Sequence, residues 1–171
     1  HVTYYIDEDK SGNTYFYKND QNFGEINDAV MMPIFENGNY AFADKDGNII
    51  FNGKNLGLAK TEGNSGSRVQ VSGNHIVFVQ GEKEKIPHVI YDGKDLGEGV
   101  NPTISGDNIA YNIEVGGKQH ILFNGKDMGE GTEPQLAGNN LAFYLEEQGA
   151  KHVIYNGKNF GEGGIIEFSE N

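Results

Sequence analysis

Three twelve-residue runs, each 32 residues after the last, constrain this chain more than any other feature. They read HVIYDGKDLGEG from His88, HILFNGKDMGEG from His120 and HVIYNGKNFGEG from His152. A shorter copy, NIIFNGKNLG, starts at Asn48, and a more divergent one, YFYKNDQNFGE, at Tyr15. A second motif lies between these copies: PIFENGNYAF from Pro33, VQVSGNHIVF from Val69, PTISGDNIAY from Pro102 and PQLAGNNLAF from Pro134. Self-similarity at this period marks a small supersecondary unit that buries its core only by stacking on its neighbours.

The residues that open the apolar part of the second motif are His1, Asn39, His75, Asn108 and Asn140. They divide residues 1–171 into five units starting at about 1, 39, 75, 108 and 140, with no remainder. The fifth copy of the motif is split across the termini. The chain ends IIEFSEN and begins HVTYY, and the joined run matches SGNHIVF from Ser72. A linear stack needs atypical capping repeats, whereas a ring needs none. The sequence therefore predicts that the C-terminal segment supplies a strand to the N-terminal unit.

Each unit reads as four short strands. Asn52-Gly53, Asp92-Gly93, Asn124-Gly125 and Asn156-Gly157 join the third strand to the fourth, and these pairs accept the positive φ that a type I′ hairpin requires. The first unit has Asn19-Asp20 there. In the second strand a small or β-branched column (Thr3, Ala41, Val77, Ala110, Ala142) precedes an aromatic one (Tyr4, Phe42, Phe78, Tyr111, Phe143). Alternate residues point to opposite faces, so each sheet has a small face and a bulky one that nest between units. The expected fold is an all-β, five-bladed β-propeller of short four-stranded blades, a single domain over residues 1–171. In His88 to Glu98, the hairpin register is expected to set His88 opposite Gly97, beside Glu98.

The pattern P-x-[IL]-[SA]-G-[DN]-N-[IL]-A-[YF] is similar to the WD40-like PD40 repeats of TolB-type propellers. The resemblance spans all 171 residues. It implies a blade geometry in which a serine-glycine turn joins the first two strands, and it implies no particular activity. This chain departs from that family in having shorter blades, and five of them rather than six.

Composition narrows the function. There is no cysteine, which excludes disulfides, thiolate metal sites and a cysteine nucleophile. The net charge is −12 and Arg68 is the only arginine, so nucleic acid and anionic membranes are not expected partners. No apolar run reaches the roughly 18 residues that a membrane helix needs. No G-x-S-x-G elbow, P-loop or H-E-x-x-H motif occurs. The expected function is a non-catalytic binding module without a cofactor, recognising a protein or peptide. A multivalent carbohydrate-binding lectin with sites between blades is the alternative, and a glycosidase-type enzyme using paired carboxylates ranks behind both. A monomer working outside the cytoplasm or secreted is expected, the latter from the lack of cysteine, the abundance of Asn and Gly, and the kinship with exported repeats.

Four groups of residues are candidates for a site. The links between units and the turns between second and third strands share one end, the top face, and hold 17 acids against eight bases. The opposite turns carry Lys54, Lys94, Lys126 and Lys158. On the top face, His88, His120 and His152 start the third strands, and Glu25, Glu98, Glu130 and Glu162 end the fourth. A histidine beside a carboxylate suits a metal or a sugar hydroxyl. In the first strands, Ile34, Gln70, Thr103, Gln135 and Glu167 form a column expected to line a central channel. Finally, Asp7, Asp9 and Ser11 hold the 1, 3 and 5 positions of a calcium loop. Lys18 stands where the twelfth-position glutamate should be, so a simple turn is the expectation.

Overall fold

The computed structural model describes residues 2–59, 69–81 and 86–168. These residues form 19 strands and no helix. The first sheet holds β1 (Tyr4–Glu8), β2 (Thr14–Lys18) and β3 (Gln21–Glu25), and the second β4 (Ile34–Glu36), β5 (Asn39–Ala43), β6 (Asn48–Phe51) and β7 (Lys54–Leu58). The third holds β8 (Gln70–Ser72), β9 (His75–Gln80), β10 (His88–Tyr91) and β11 (Lys94–Glu98), and the fourth β12 (Val100–Ser105), β13 (Asn108–Val115), β14 (Lys118–Phe123) and β15 (Lys126–Glu130). The fifth holds β16 (Thr132–Ala137), β17 (Asn140–Glu147), β18 (Ala150–Tyr155) and β19 (Lys158–Glu162). All five are antiparallel meanders in sequence order, a propeller-like succession of repeated sheets.

Hairpin chemistry sets the register. Asn52, Asp92, Asn124 and Asn156 adopt φ of 46–51°, and Asn19 and Asp20 adopt 49° and 62°, so the last hairpin turn of all five sheets takes the positive φ expected of it. Three residues into the last strand of each sheet, a glycine (Gly24, Gly57, Gly97, Gly129, Gly161) sits at φ 87–114°, where the register shifts by one residue. An Asn or Asp two residues earlier accepts that glycine's N–H at 2.7–2.8 Å in every sheet. The repeated [ND]-x-G is thus a capped β-bulge.

The core lies between sheets. Ala41, Ala43 and Ile49 of the second sheet pack on Ile76, Phe78 and Ile90 of the third. Val77, Val79 and Val89 of the third meet Ile104, Ile109 and Tyr111 of the fourth. Ala110 and Ile121 of the fourth meet Leu141, Phe143 and Ile154 of the fifth. Small residues on one face receive aromatic or branched ones from the next, as the columns predict. The links leave no room for a side chain: a Cβ on Gly99 would lie 2.6 Å from the Tyr111 ring, and one on Gly131 would strike the Phe143 ring.

Polar staples join the sheets at the end opposite the links. Asn39 donates to Gly73 O at 2.7 Å, and Asn108 donates to Gly138 O at 3.0 Å, each reaching the next sheet's first turn. His75 makes the equivalent reach to Asp107. The Ser72 and Ser105 hydroxyls accept the N–H of Gly106 and Gly138 at 2.9 and 2.8 Å.

The first sheet corrects one expectation. Asn19 Oδ1 accepts the N–H of Thr3 as Asn52 Oδ1 accepts that of Tyr40, and Tyr4 pairs with Lys18 as Ala41 pairs with Phe51. Tyr4 therefore stands in the small column and Tyr5 in the aromatic one, a slip of one residue that reverses the face of each side chain. Tyr4 stacks on Phe35 at 4.8 Å beside the buried Phe16, Tyr40 and Phe42, and its hydroxyl donates to Gly38 O. Tyr5 faces away and stacks on Tyr17. Among the described residues this sheet has three strands, and residues 165–168 are in no strand. His1 and the last three residues of the expected closing strand, 169–171, lie outside the described residues.

Candidate binding site

The first strands of the third, fourth and fifth sheets, β8, β12 and β16, bring Gln70, Thr103 and Gln135 to one cavity of about 590 Å³. Backbone strain shapes it. Asn101 and Glu133 adopt φ of 53° and 55° directly before Pro102 and Pro134, where the register of β12 and β16 shifts. A left-handed non-glycine residue before proline is costly, about 1–3 kcal/mol. The bulges bring both Asn101 and Glu133 into the cavity lining. Gln70 Oε1 accepts the N–H of Ile104 at 3.2 Å, tying β8 to β12. The side chains of Thr103 and Gln135 make no hydrogen bond to another described residue. Glu133 accepts from Lys151 Nζ at 3.1 Å, which also lies over the Tyr144 ring. Phe168 closes one side.

The other two members of the expected column lie elsewhere. Ile34 packs against the core cluster of the second and third sheets. Glu167 lines a separate cavity of about 690 Å³ on the outer face of the fifth sheet, with Tyr155, Phe160 and Ile165.

The histidines stand where the repeat puts them, with different partners from those expected. His88, His120 and His152 pair in register with Glu98, Glu130 and Glu162, not with the preceding glycines. Their rings turn to the bulge-capping residue. His88 Nδ1 lies 2.9 Å from Asp95 and His120 Nδ1 3.0 Å from Asp127, while His152 has Asn159 at 3.5 Å. The N–H of Gly97 or Gly129, and then the histidine, hold the Asp95 and Asp127 carboxyls below the usual carboxylate range. Asn22 and Asn55 make the same glycine cap in sheets without a histidine, so the carboxylate's first duty is the bulge. Recurrence of Asn or Asp two residues before the glycine was the available signal.

The glutamates end their strands at the surface: Glu98, Glu130 and Glu162 are exposed and Glu25 is half-buried. Lys118 pairs with Glu130. Three acids of the same end, Glu62, Glu82 and Glu84, lie outside the described residues. Asp9 accepts the N–H of Ser11 at 2.8 Å and of Asn13 at 3.0 Å, bonds that hold its carboxyl below the ordinary range, Asn13 first. Asp44 closes the equivalent turn of the second sheet in the same way. Asp7 accepts from Glu8 N–H instead of joining Asp9. Among the described residues, no three His, Asp or Glu side chains group as metal ligands.

No protein-family model matches this chain, and no curated protein matches it. Among solved structures it is similar to the computationally designed Ika8 protein, with a TM-score of 0.46 and 15% identity. The match covers 99% of this chain and 65% of that one, so this chain spans about two-thirds of its length.

Proposed function

We propose that this chain is a non-catalytic binding module, a closed five-bladed β-propeller of the PD40-like kind, that recognises a basic protein or peptide on its acidic end. The observation that carries the reading is the separation of charge along the strands. Exposed Glu98, Glu130 and Glu162 end the fourth strands of three consecutive sheets, whereas Lys94, Lys126 and Lys158 begin those same strands at the far end. A predominantly acidic surface steers an oppositely charged partner and sets its orientation.

Ring closure is supported by the tail. Phe35, Val71, Ile104 and Leu136 each pack on the preceding sheet, and Phe168 lies 6.2 Å from the Tyr155 ring of the fifth sheet, its own preceding neighbour. Tyr5 and Tyr17 are the first-sheet residues in line for the face that Phe160 leaves 60% exposed.

The test is association with an oligolysine peptide as salt rises from about 50 to about 500 mM, which shortens the Debye length from about 14 to about 4 Å. The on-rate should fall steeply, and Glu98→Gln, Glu130→Gln and Glu162→Gln together should lower it at low salt. A salt-independent on-rate, or glycan capture on an array without any binding of oligolysine, would overturn the reading.

A further inference from the structure

We propose that the cavity between β8, β12 and β16 is a binding pocket for one cationic side chain, the guanidinium of an arginine or the ammonium of a lysine carried by the partner. The proposal rests on the acidic-end reading and adds the place where the partner's side chain goes. Its volume of about 590 Å³ falls within the range of small-ligand sites and takes a long side chain with a few waters. The wall chemistry selects the sign. The Thr103 hydroxyl and the Gln135 carboxamide oxygen accept from no described residue, and Glu133 brings to the same lining a carboxylate whose Oε1 accepts from Lys151 Nζ at 3.1 Å in a surface ion pair that a ligand cation can share. No lysine, arginine or histidine lines it among the described residues. Thr103, Gln135 and Asn101 carry donors as well as acceptors, so charge sets the sign: an anion would face the Glu133 carboxylate on a chain of net charge −12, whereas a cation is drawn to both and uses the free acceptors.

The walls also suit the stem of such a side chain. Pro102 and Pro134 are buried and give apolar sides for methylene groups, and Phe168 adds an aromatic side chain to the lining. The strained backbone at Glu133 belongs to the same design. An extended residue there would keep β16 in register with β17, and the left-handed turn is what sets it apart from that ladder. Strain of this kind persists only where the surrounding structure over-determines it, and it clusters at ligand clamps.

Calorimetry on the full chain tests this with acetyl-arginine methylamide and its neutral isostere, acetyl-citrulline methylamide. The arginine compound should bind, and the citrulline compound should bind about tenfold more weakly or worse, because charge-assisted bonds are about twice as strong as neutral ones. Thr103→Val with Gln135→Leu keeps the volume and removes both free acceptors, and should weaken arginine binding about tenfold. Gln135→Glu, which adds negative charge at nearly the same reach, should tighten it and stands as the independent test if the double variant misfolds. Equal binding of arginine and citrulline compounds would overturn the cationic assignment. Oligolysine binding at low salt that is unchanged in both variants would overturn the pocket and leave the acidic-end reading standing. Loss of all oligolysine binding to the parent chain would remove both.

Discussion

At the scale of single residues, one side chain per sheet decides how neighbouring sheets are pinned. Asn39 and Asn108 take a carboxamide bond from the turn of their own sheet and give one to the next, at 2.7–3.0 Å. In the third sheet the same post is held by His75, with Nδ1 2.6 Å from Asp92 and Nε2 2.9 Å from Asp107, its ring stacked on Tyr91. An imidazole between two carboxylates satisfies both only as the cation. The bond to Asp92, then the charges of Asp92 and Asp107, lift its titration above the ordinary histidine value against the opposing pull of burial. A folded-state pKa above the unfolded one gives a stabilisation that is complete below about pH 6.5 and fades as pH rises through the folded value. The junction of third and fourth sheets should therefore loosen on the alkaline side. Melting temperatures at about pH 5.5 and about pH 8.5 should differ more for the parent than for His75→Asn, which installs the neutral staple of the other sheets. A parent and variant with the same pH dependence would show that the ring never carries the charge.

At the scale of the strand pair, the hairpin and its capped bulge are what every sheet repeats. Asn124 combines three roles: it turns the chain at φ 49°, accepts the N–H of Ile109 at 2.9 Å and donates to Asn108 at 2.8 Å. Asn124→Gly keeps the turn and removes both side-chain bonds. It should cost about 1–2 kcal/mol, or about 2–8 °C in melting temperature. A melting point unchanged within about 1 °C would deny the side chain that role. Gly131→Ala should cost more than a typical surface change, about 1–3 kcal/mol, because the Phe143 ring occupies the space a methyl would need. Strands, turns and face alternation were legible in the sequence because a two-residue Asn-Gly loop fixes register locally and the period repeats. The first sheet misled because its turn is Asn-Asp and its strand is Thr-Tyr-Tyr-Ile, which alternates no apolar and polar residues to betray a slip. The cavity between β8, β12 and β16 was half legible. Gln70, Thr103 and Gln135 came from counting alternation along the first strands, whereas Asn101 and Glu133 enter through bulges that alternation does not encode. The histidine partners were hidden for the same reason, since the one-residue shift at Gly97 and Gly129 moves Asp95 and Asp127 under the rings.

At the scale of the whole molecule, the question is what completes the two outer sheets. Asn19 N–H donates to Thr3 O and Thr3 N–H to Asn19 Oδ1, so Thr3 spends its backbone groups on the β2 side. In an antiparallel ladder the next residue turns its groups to the other edge. Tyr4 and Ile6 therefore present N–H and C=O along the free side of β1, where sheets two to five each have an inner strand. An edge of this kind, beside exposed Val2 and Ile6, invites pairing. The fifth sheet carries the complementary need, with Phe160 and Ile165 exposed at its outer cavity. If residues 165–171 form the missing strand, both needs are met at once and the chain ends meet within one sheet. Amide exchange then has a specific expectation. The N–H groups of Tyr4 and Ile6 should be protected in the full chain, and deletion of residues 165–171 should expose them while lowering the melting temperature of the whole molecule, because each sheet is buried only by its neighbours. Rapid exchange at Tyr4 and Ile6 in the intact protein would mean that β1 remains an edge and that the five sheets form an open arc.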